Sequence, residues 1–274
     1  MKRMAGAAIA AAFRAACAME LAAPKPGNVH CFRDGHGMVA ADFERSAEVA
    51  APALTRPGAP LGARIFDAVA ATRAAVGQNT NLGIILLAAP LAMAAEHGGD
   101  LRAAVIRVLA AADLADAASV FRAIALAAPG GLGTETRHDV REDARVLLSE
   151  AMALAAPRDV IARQWVTGFA DIFTLGLPAL AQARGREWPA LAAYLAFLGA
   201  FPDSHIRRKH GLAVAEAVRR EAAPWPALLA AAPDPRALLP ALLAWDAALK
   251  AAAINPGTSA DLTVASLFAE RLLQ

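Results

Sequence analysis

Apolar residues recur along this chain at spacings of three and four, and stretches that alternate strictly between apolar and polar are nearly absent. That pattern predicts helices over about residues 3–22, 40–52, 61–76, 82–97, 100–112, 115–127, 139–154, 158–173, 176–184, 188–199, 204–220, 225–231, 236–252 and 259–273. No Asn-Gly or Asp-Gly hairpin lies between alternating runs, and no glycine-rich nucleotide fingerprint follows a strand. Pro24 with Pro26, Pro57-Gly58 with Pro60, and Asn255-Pro256-Gly257 cut the pattern into segments. The stretch Pro129-Gly130-Gly131-Leu132-Gly133 reads as the most flexible point. There is no long linker and no fixed-period repeat. The expectation is an all-α fold, a single compact multi-helix domain spanning residues 1–274.

Composition sharpens this picture. The chain is 57% hydrophobic but only 5% aromatic, with alanine carrying much of the apolar share. Alanine is the best helix former and only weakly apolar, so close Ala-rich helix packing is expected. Twenty-seven basic and 25 acidic residues leave a net charge of +2, which argues against nucleic acid as the partner. Cys17 and Cys31 form no CxxC pattern and read as reduced thiols of a cytoplasmic protein. Lys2 and Arg3 ahead of Met4–Phe13 imitate a secretory signal. Arg14 interrupts that run and Glu20 and Lys25 follow, so it reads as the first helix instead. The longest uncharged segment, Ala74–Ala95, holds Gln78, Asn79, Thr80, Asn81 and Pro90; it suits a buried helix rather than a membrane span. Exposed apolar helices would permit a homodimer.

Four polar islands stand out of this background. The first centres on Pro24-Lys25-Pro26-Gly27-Asn28, following Glu20. Two prolines fix φ around the lysine, which is expected to stand on a stiff loop as a point charge for a phosphate; a plain helix stop with an exposed lysine reads the same way. His30, Arg33, Asp34, His36 and Asp42 follow, at no standard zinc spacing. The second island, Gly77-Gln78-Asn79-Thr80-Asn81, opens the apolar run from Leu82. It suggests helix capping or an anion site at a helix N-terminus. The third, Asp203-Ser204-His205-Ile206-Arg207-Arg208-Lys209-His210-Gly211, starts a helix capped by Asp203 or Ser204. It carries five groups that are or can become cationic, suited to a polyphosphate or to a solvated basic face. The fourth, Asn255-Pro256-Gly257-Thr258-Ser259-Ala260-Asp261-Leu262, reads as a turn. Thr258 or Ser259 would cap the last helix and Asp261 would sit in its first turn, where a carboxylate favours a magnesium-bound phosphate over a bare one.

In their order and content the islands resemble the triphosphoribosyl-dephospho-CoA synthase family. The resemblance rests on Glu20 with Pro24-Lys25-Pro26-Gly27, on Asn79-Thr80 with Gly83, on Asp203–Gly211, and on Pro256-Gly257 with Ser259-Ala260-Asp261-Leu262; it spans residues ~16 to ~270. The family usually has Thr-His-Lys-Gly where this chain has Thr80-Asn81-Leu82-Gly83, so one cation is missing. The Asp203 segment, Asn255 and Thr258 also depart from the usual residues.

The resemblance implies an all-helical transferase in which the 2′-hydroxyl of dephospho-CoA attacks C1 of the ribose of ATP, adenine leaves, and the triphosphate travels with the sugar. Asp203 and then Glu20 are the expected bases. Lys25, His205, Arg207, Arg208 and Lys209 would bind the triphosphate, Asn79, Thr80 and Ser259 would donate hydrogen bonds, and Asp42 and Asp261 would hold Mg²⁺. Two other readings stand beside this one. The first is the same chemistry on a different alcohol acceptor, as in one-carbon pterin cofactor assembly. The second is a non-catalytic helical nucleotide-binding or scaffold protein.

Overall fold

The computed structural model describes residues 1–128 and 145–274. Among them the helices are α1 Gly6–Leu21, α2 Ala40–Leu54, α3 Leu61–Val76, α4 Leu82–His97, α5 Leu101–Ala110, α6 Leu114–Ala127, α7 Leu148–Ala155, α8 Val160–Thr167, α9 Leu177–Gln182, α10 Pro189–Ala200, α11 Ser204–His210, α12 Leu212–Ala222, α13 Trp225–Ala231, α14 Leu239–Ala251 and α15 Gly257–Leu273. There are no strands among the described residues beyond two isolated bridges in the 30–38 loop. The proline- and glycine-rich stretch at 129–133 and the start of the helix expected from 139 lie outside the described residues.

Two helices form the centre. α4 is apolar on every side and buried along most of its length, as a helix without a polar face must be. α15 is equally buried and packs against α1, α4 and α10. α1 packs on α15 and α2, so it is a core helix. No single described helix is long and apolar enough to cross a membrane. Cys17 and Cys31 are both free thiols.

Two expected helices break. The 158–173 run stops at Thr167, because Gly168 and Phe169 both take left-handed φ, and a short π-helical turn, Ile172–Gly176, resumes before α9. The 204–220 run stops at Gly211, whose φ of 87° ends α11 and starts α12 at a new angle.

Candidate active site

The first island folds into the interior. Lys25 is fully buried, and its ammonium donates to Glu20 Oε1 at 2.5 Å, Val29 O at 2.7 Å and Asn28 Oδ1 at 3.1 Å. The exposed, phosphate-ready lysine expected from the sequence is therefore not found. A lysine with every donor taken has none left for a ligand. The loop around it is fixed from three sides. Tyr194 Oη donates to Pro26 O at 2.6 Å, Gly27 N donates to Asp246 Oδ1 at 2.9 Å, and Asn28 Nδ2 donates to Asn255 Oδ1 at 2.8 Å. Gly27 is required here twice over: its φ is 81°, and an added Cβ would lie 2.8 Å from Pro256 Cδ.

The second island ties α4 to its neighbours. Gln78 Nε2 donates to Asp42 Oδ2, Leu82 N donates to Asn79 Oδ1, the hydroxyls of Thr80 and Ser46 meet at 2.5 Å, and Asn81 Nδ2 donates to Thr72 Oγ1. Asp42 also closes the N-terminus of α2 by accepting from Val39 N at 2.9 Å. Asn79, Thr80 and Asp42 thus already have partners within the protein. The structure records no contact between Asp42 and Asp261.

The third and fourth islands meet each other. Asp203 caps α11, its Oδ1 accepting from His205 N and Ile206 N, while its Oδ2 accepts from both the N–H and the hydroxyl of Ser259 at 2.8 Å. Four donors fill the carboxylate, which makes it a poor general base. His205 N donates to Thr258 Oγ1 and Val160 N to Ser204 Oγ, so the first turns of α8, α11 and α15 lie together. Neither Thr258 nor Ser259 caps α15, which begins at Gly257 with Pro256 before it. Asp261 consequently sits beyond the first turn rather than in it.

Asp261 has the most unusual surroundings of the chosen residues. A Cβ on Gly83 would lie 2.1 Å from Asp261 Oδ2, so the carboxyl fills the space that any side chain at position 83 would take. Among the described residues nothing donates a hydrogen bond to it. Burial raises its pKa well above the usual carboxylate range, and the charges of Asp203 and Glu20 raise it further; Arg208 pulls the other way. Burial also raises Glu20, against the pull of Lys25, and raises Asp203, against its hydrogen-bond donors. Glu20 lines a narrow cleft with Cys17, Phe43, Asn81, Ile84 and Val264.

The basic residues divide. Arg207 reaches away to Pro157 O and Lys209 is exposed. Arg208 pairs with Asp159 at 2.9 Å, leaving its buried Nε without a partner among the described residues. His205 is not a cation: burial, then the charges of Arg208 and Lys209, push its pKa down to about 3. Its Nε2 is also buried and unpaired among the described residues. The Arg208 Nε–H, a donor without a partner among the described residues, is an opening for an anionic ligand, and the neutral His205 ring beside it can donate from Nε2 only in one tautomer.

Among the described residues no three His, Cys, Asp or Glu groups sit close enough to hold a metal by themselves. Sequence reasoning missed Asp246, a buried acceptor for Gly27 N and Lys250, with His30 Nε2 and Arg33 Nη1 within 3.5 Å. A single acid within the apolar run 239–251 gives no sign of its partners. It also missed Asn255 as the partner of Asn28, and Asp159 as the anchor of Arg208.

A family model described as CitG, ATP:dephospho-CoA triphosphoribosyl transferase, matches residues 6–274. Among solved structures the chain is similar to a provisionally assigned triphosphoribosyl-dephospho-CoA synthase from Archaeoglobus fulgidus. The two share 28% identity over 82% of this chain and 95% of that one, with a TM-score of 0.62. No curated protein matches.

Proposed function

Because the chain belongs to the ATP:dephospho-CoA triphosphoribosyl transferase family, we propose that its carboxylate cluster moves the triphosphoribosyl group of ATP to the hydroxyl of dephospho-CoA and releases adenine. The observation that carries this reading is the convergence of Glu20, Asp203 and Asp261 from three distant segments, the first two buried and the third half-buried, to within electrostatic reach of one another. Two buried carboxylates with a third, half-buried one beside them oppose folding, so a stability role accounts for them poorly.

Displacement at the anomeric carbon needs a base for the attacking hydroxyl and an acid for the departing ring nitrogen. The environments of Glu20 and Asp261 divide these tasks. Burial raises the pKa of both, but Glu20 has the Lys25 ammonium at 2.5 Å pulling it toward its ionised form. Asp261 has no hydrogen-bond donor among the described residues and three acidic neighbours, Asp203, Glu20 and Asp159, that favour its protonated form against the pull of Arg208. The acceptor O–H gives its proton to Glu20 as the O–C1 bond forms. The C1–N bond breaks with its electron pair going to adenine, and Asp261 protonates the ring. Asp203, the first choice as base from the sequence, instead joins α11 to α15. Arg208, whose buried Nε–H has no partner among the described residues, binds the triphosphate, with the neutral His205 ring beside it in the tautomer that donates from Nε2 and Lys209 at the outer edge. Magnesium would enter with the nucleotide, held by its phosphates and by a hard oxygen such as that of Asp42, and would offset phosphate charge. Asp261 is withdrawn from the metal set because the leaving base needs its proton.

The test is adenine release from ATP by the purified chain, with and without dephospho-CoA. Release that depends on dephospho-CoA supports the reading; release with neither this acceptor nor any other alcohol sinks it. One observation favours a second acceptor. Leu82 and Asn81 stand where the family has a lysine and a histidine, and both are buried, with Asn81 committed to Thr72. Release that needs a smaller sugar alcohol or a ribosylated pterin precursor, and not dephospho-CoA, would establish that alternative. Membership of a transferase family sets the scaffold reading aside.

A further inference from the structure

Glu20 is placed where elementary forces oppose a carboxylate. It lies in the last turn of α1, at the negative end of the helix dipole, and it is almost completely buried. The chain then turns through Pro24-Lys25-Pro26 and returns an ammonium to within 2.5 Å of Glu20 Oε1. The other two protons of that ammonium go to Val29 O and Asn28 Oδ1. The loop cannot swing, because Tyr194, Asp246 and Asn255 hold Pro26, Gly27 and Asn28. Lys25 therefore has no donor for a phosphate and no freedom to reach one.

We infer that Lys25 is a positioning residue that fixes the charge and direction of the Glu20 carboxylate, and that it makes no contact with the triphosphate. This inference rests on the transfer reaction proposed above. It has a consequence that a phosphate contact would not have: Lys25 matters only while Glu20 is there. It also fixes the sign of a pH effect. Loss of the cation disfavours ionised Glu20, so the acidic limb of the rate profile moves to higher pH.

The experiment compares the full-length chain with K25M, E20Q and the double variant K25M/E20Q. Adenine release is followed against ATP concentration and against pH. For K25M, kcat is expected to fall by about 100-fold or more, with KM for ATP changing less than about threefold and the acidic limb displaced upward. In the E20Q background, K25M should add less than about a twofold further loss. A rise of about tenfold or more in KM for ATP with an unmoved limb would establish a phosphate contact and overturn the inference. Equal losses from K25M in both backgrounds would reduce Lys25 to a purely structural role. Should K25M not fold, the double variant, which removes both charges, is compared with E20Q alone. An infrared titration of the Glu20 carboxyl, identified by its absence in E20Q, needs no activity. If the native chain fails to release adenine, the proposed reaction fails, yet a Glu20 band that titrates at higher pH in K25M still supports the positioning role. An unmoved band in K25M overturns it.

Discussion

At the scale of single residues, two side chains carry the proposed proton transfers and one missing side chain makes room for them. E20Q and D261N keep shape and remove a proton-transfer group. Each should lower the rate of adenine release by about 10²- to 10⁴-fold while leaving the circular dichroism spectrum unchanged. A smaller loss in either variant removes that residue from the chemistry. Gly83 lies in the first turn of α4, where alanine would ordinarily help the helix by about 1 kcal/mol. Here the Cβ would meet Asp261 Oδ2 at 2.1 Å. G83A should therefore lower both the melting temperature and the activity, with overpacking of about 1–3 kcal/mol exceeding the propensity gain. A G83A melt at or above the native one would mean that the carboxyl can move aside freely.

At the scale of elements, the site is a meeting of helix starts. Asp203 joins α11 to α15 through four accepted hydrogen bonds. D203A removes a cap and leaves the Ser259 hydroxyl without its partner, so it should cost roughly 2–4 kcal/mol in chemical denaturation. Its residual activity should exceed that of D261N when both are measured well below their melting temperatures; the reverse order would return Asp203 to the role of base. The helices themselves were legible in the sequence, since apolar periodicity and Pro/Gly punctuation are local signals. The starts of α2, α3, α4, α11 and α13 fall where the pattern places them. The breaks at Gly168-Phe169 and at Gly211 were missed, because a left-handed residue inside a periodic run leaves the apolar pattern intact. The polar islands were legible as well, but their partners were not. Lys25 reads as exposed until Glu20, Asn28 and Val29 close round it. Asp203 reads as a helix cap with a carboxylate free to act as base until Ser259 reaches it from 56 residues away.

At the scale of the molecule, the site contributes to the pH dependence of stability. The folded-state pKa of Asp261 is raised, so its contribution is fully present below the unfolded value of about 3.9 and is lost as pH rises through the folded value. D261N does not titrate. Its melting temperature should gain on that of the native chain as pH rises from about 4 toward 8, a stability increase bought with activity. A gap that stays constant with pH would place the ionised carboxylate in the native fold. Asp246 has the opposite sign. Burial pushes it up, but donors from His30, Lys250 and Gly27 together pull it below the usual range, so its anchoring of the Pro26–Asn28 loop is lost as pH falls through its folded value.

The central claim is that the bond broken lies between ribose and adenine, with the phosphates left whole. Mass analysis of the products formed from ATP and dephospho-CoA tests this most directly. The account predicts one free adenine for each molecule of a dephospho-CoA adduct that carries an intact triphosphoribosyl group, with no ADP, AMP or pyrophosphate formed. Adduct formation accompanied by ADP or pyrophosphate, with the adenine still attached to its ribose, would contradict it.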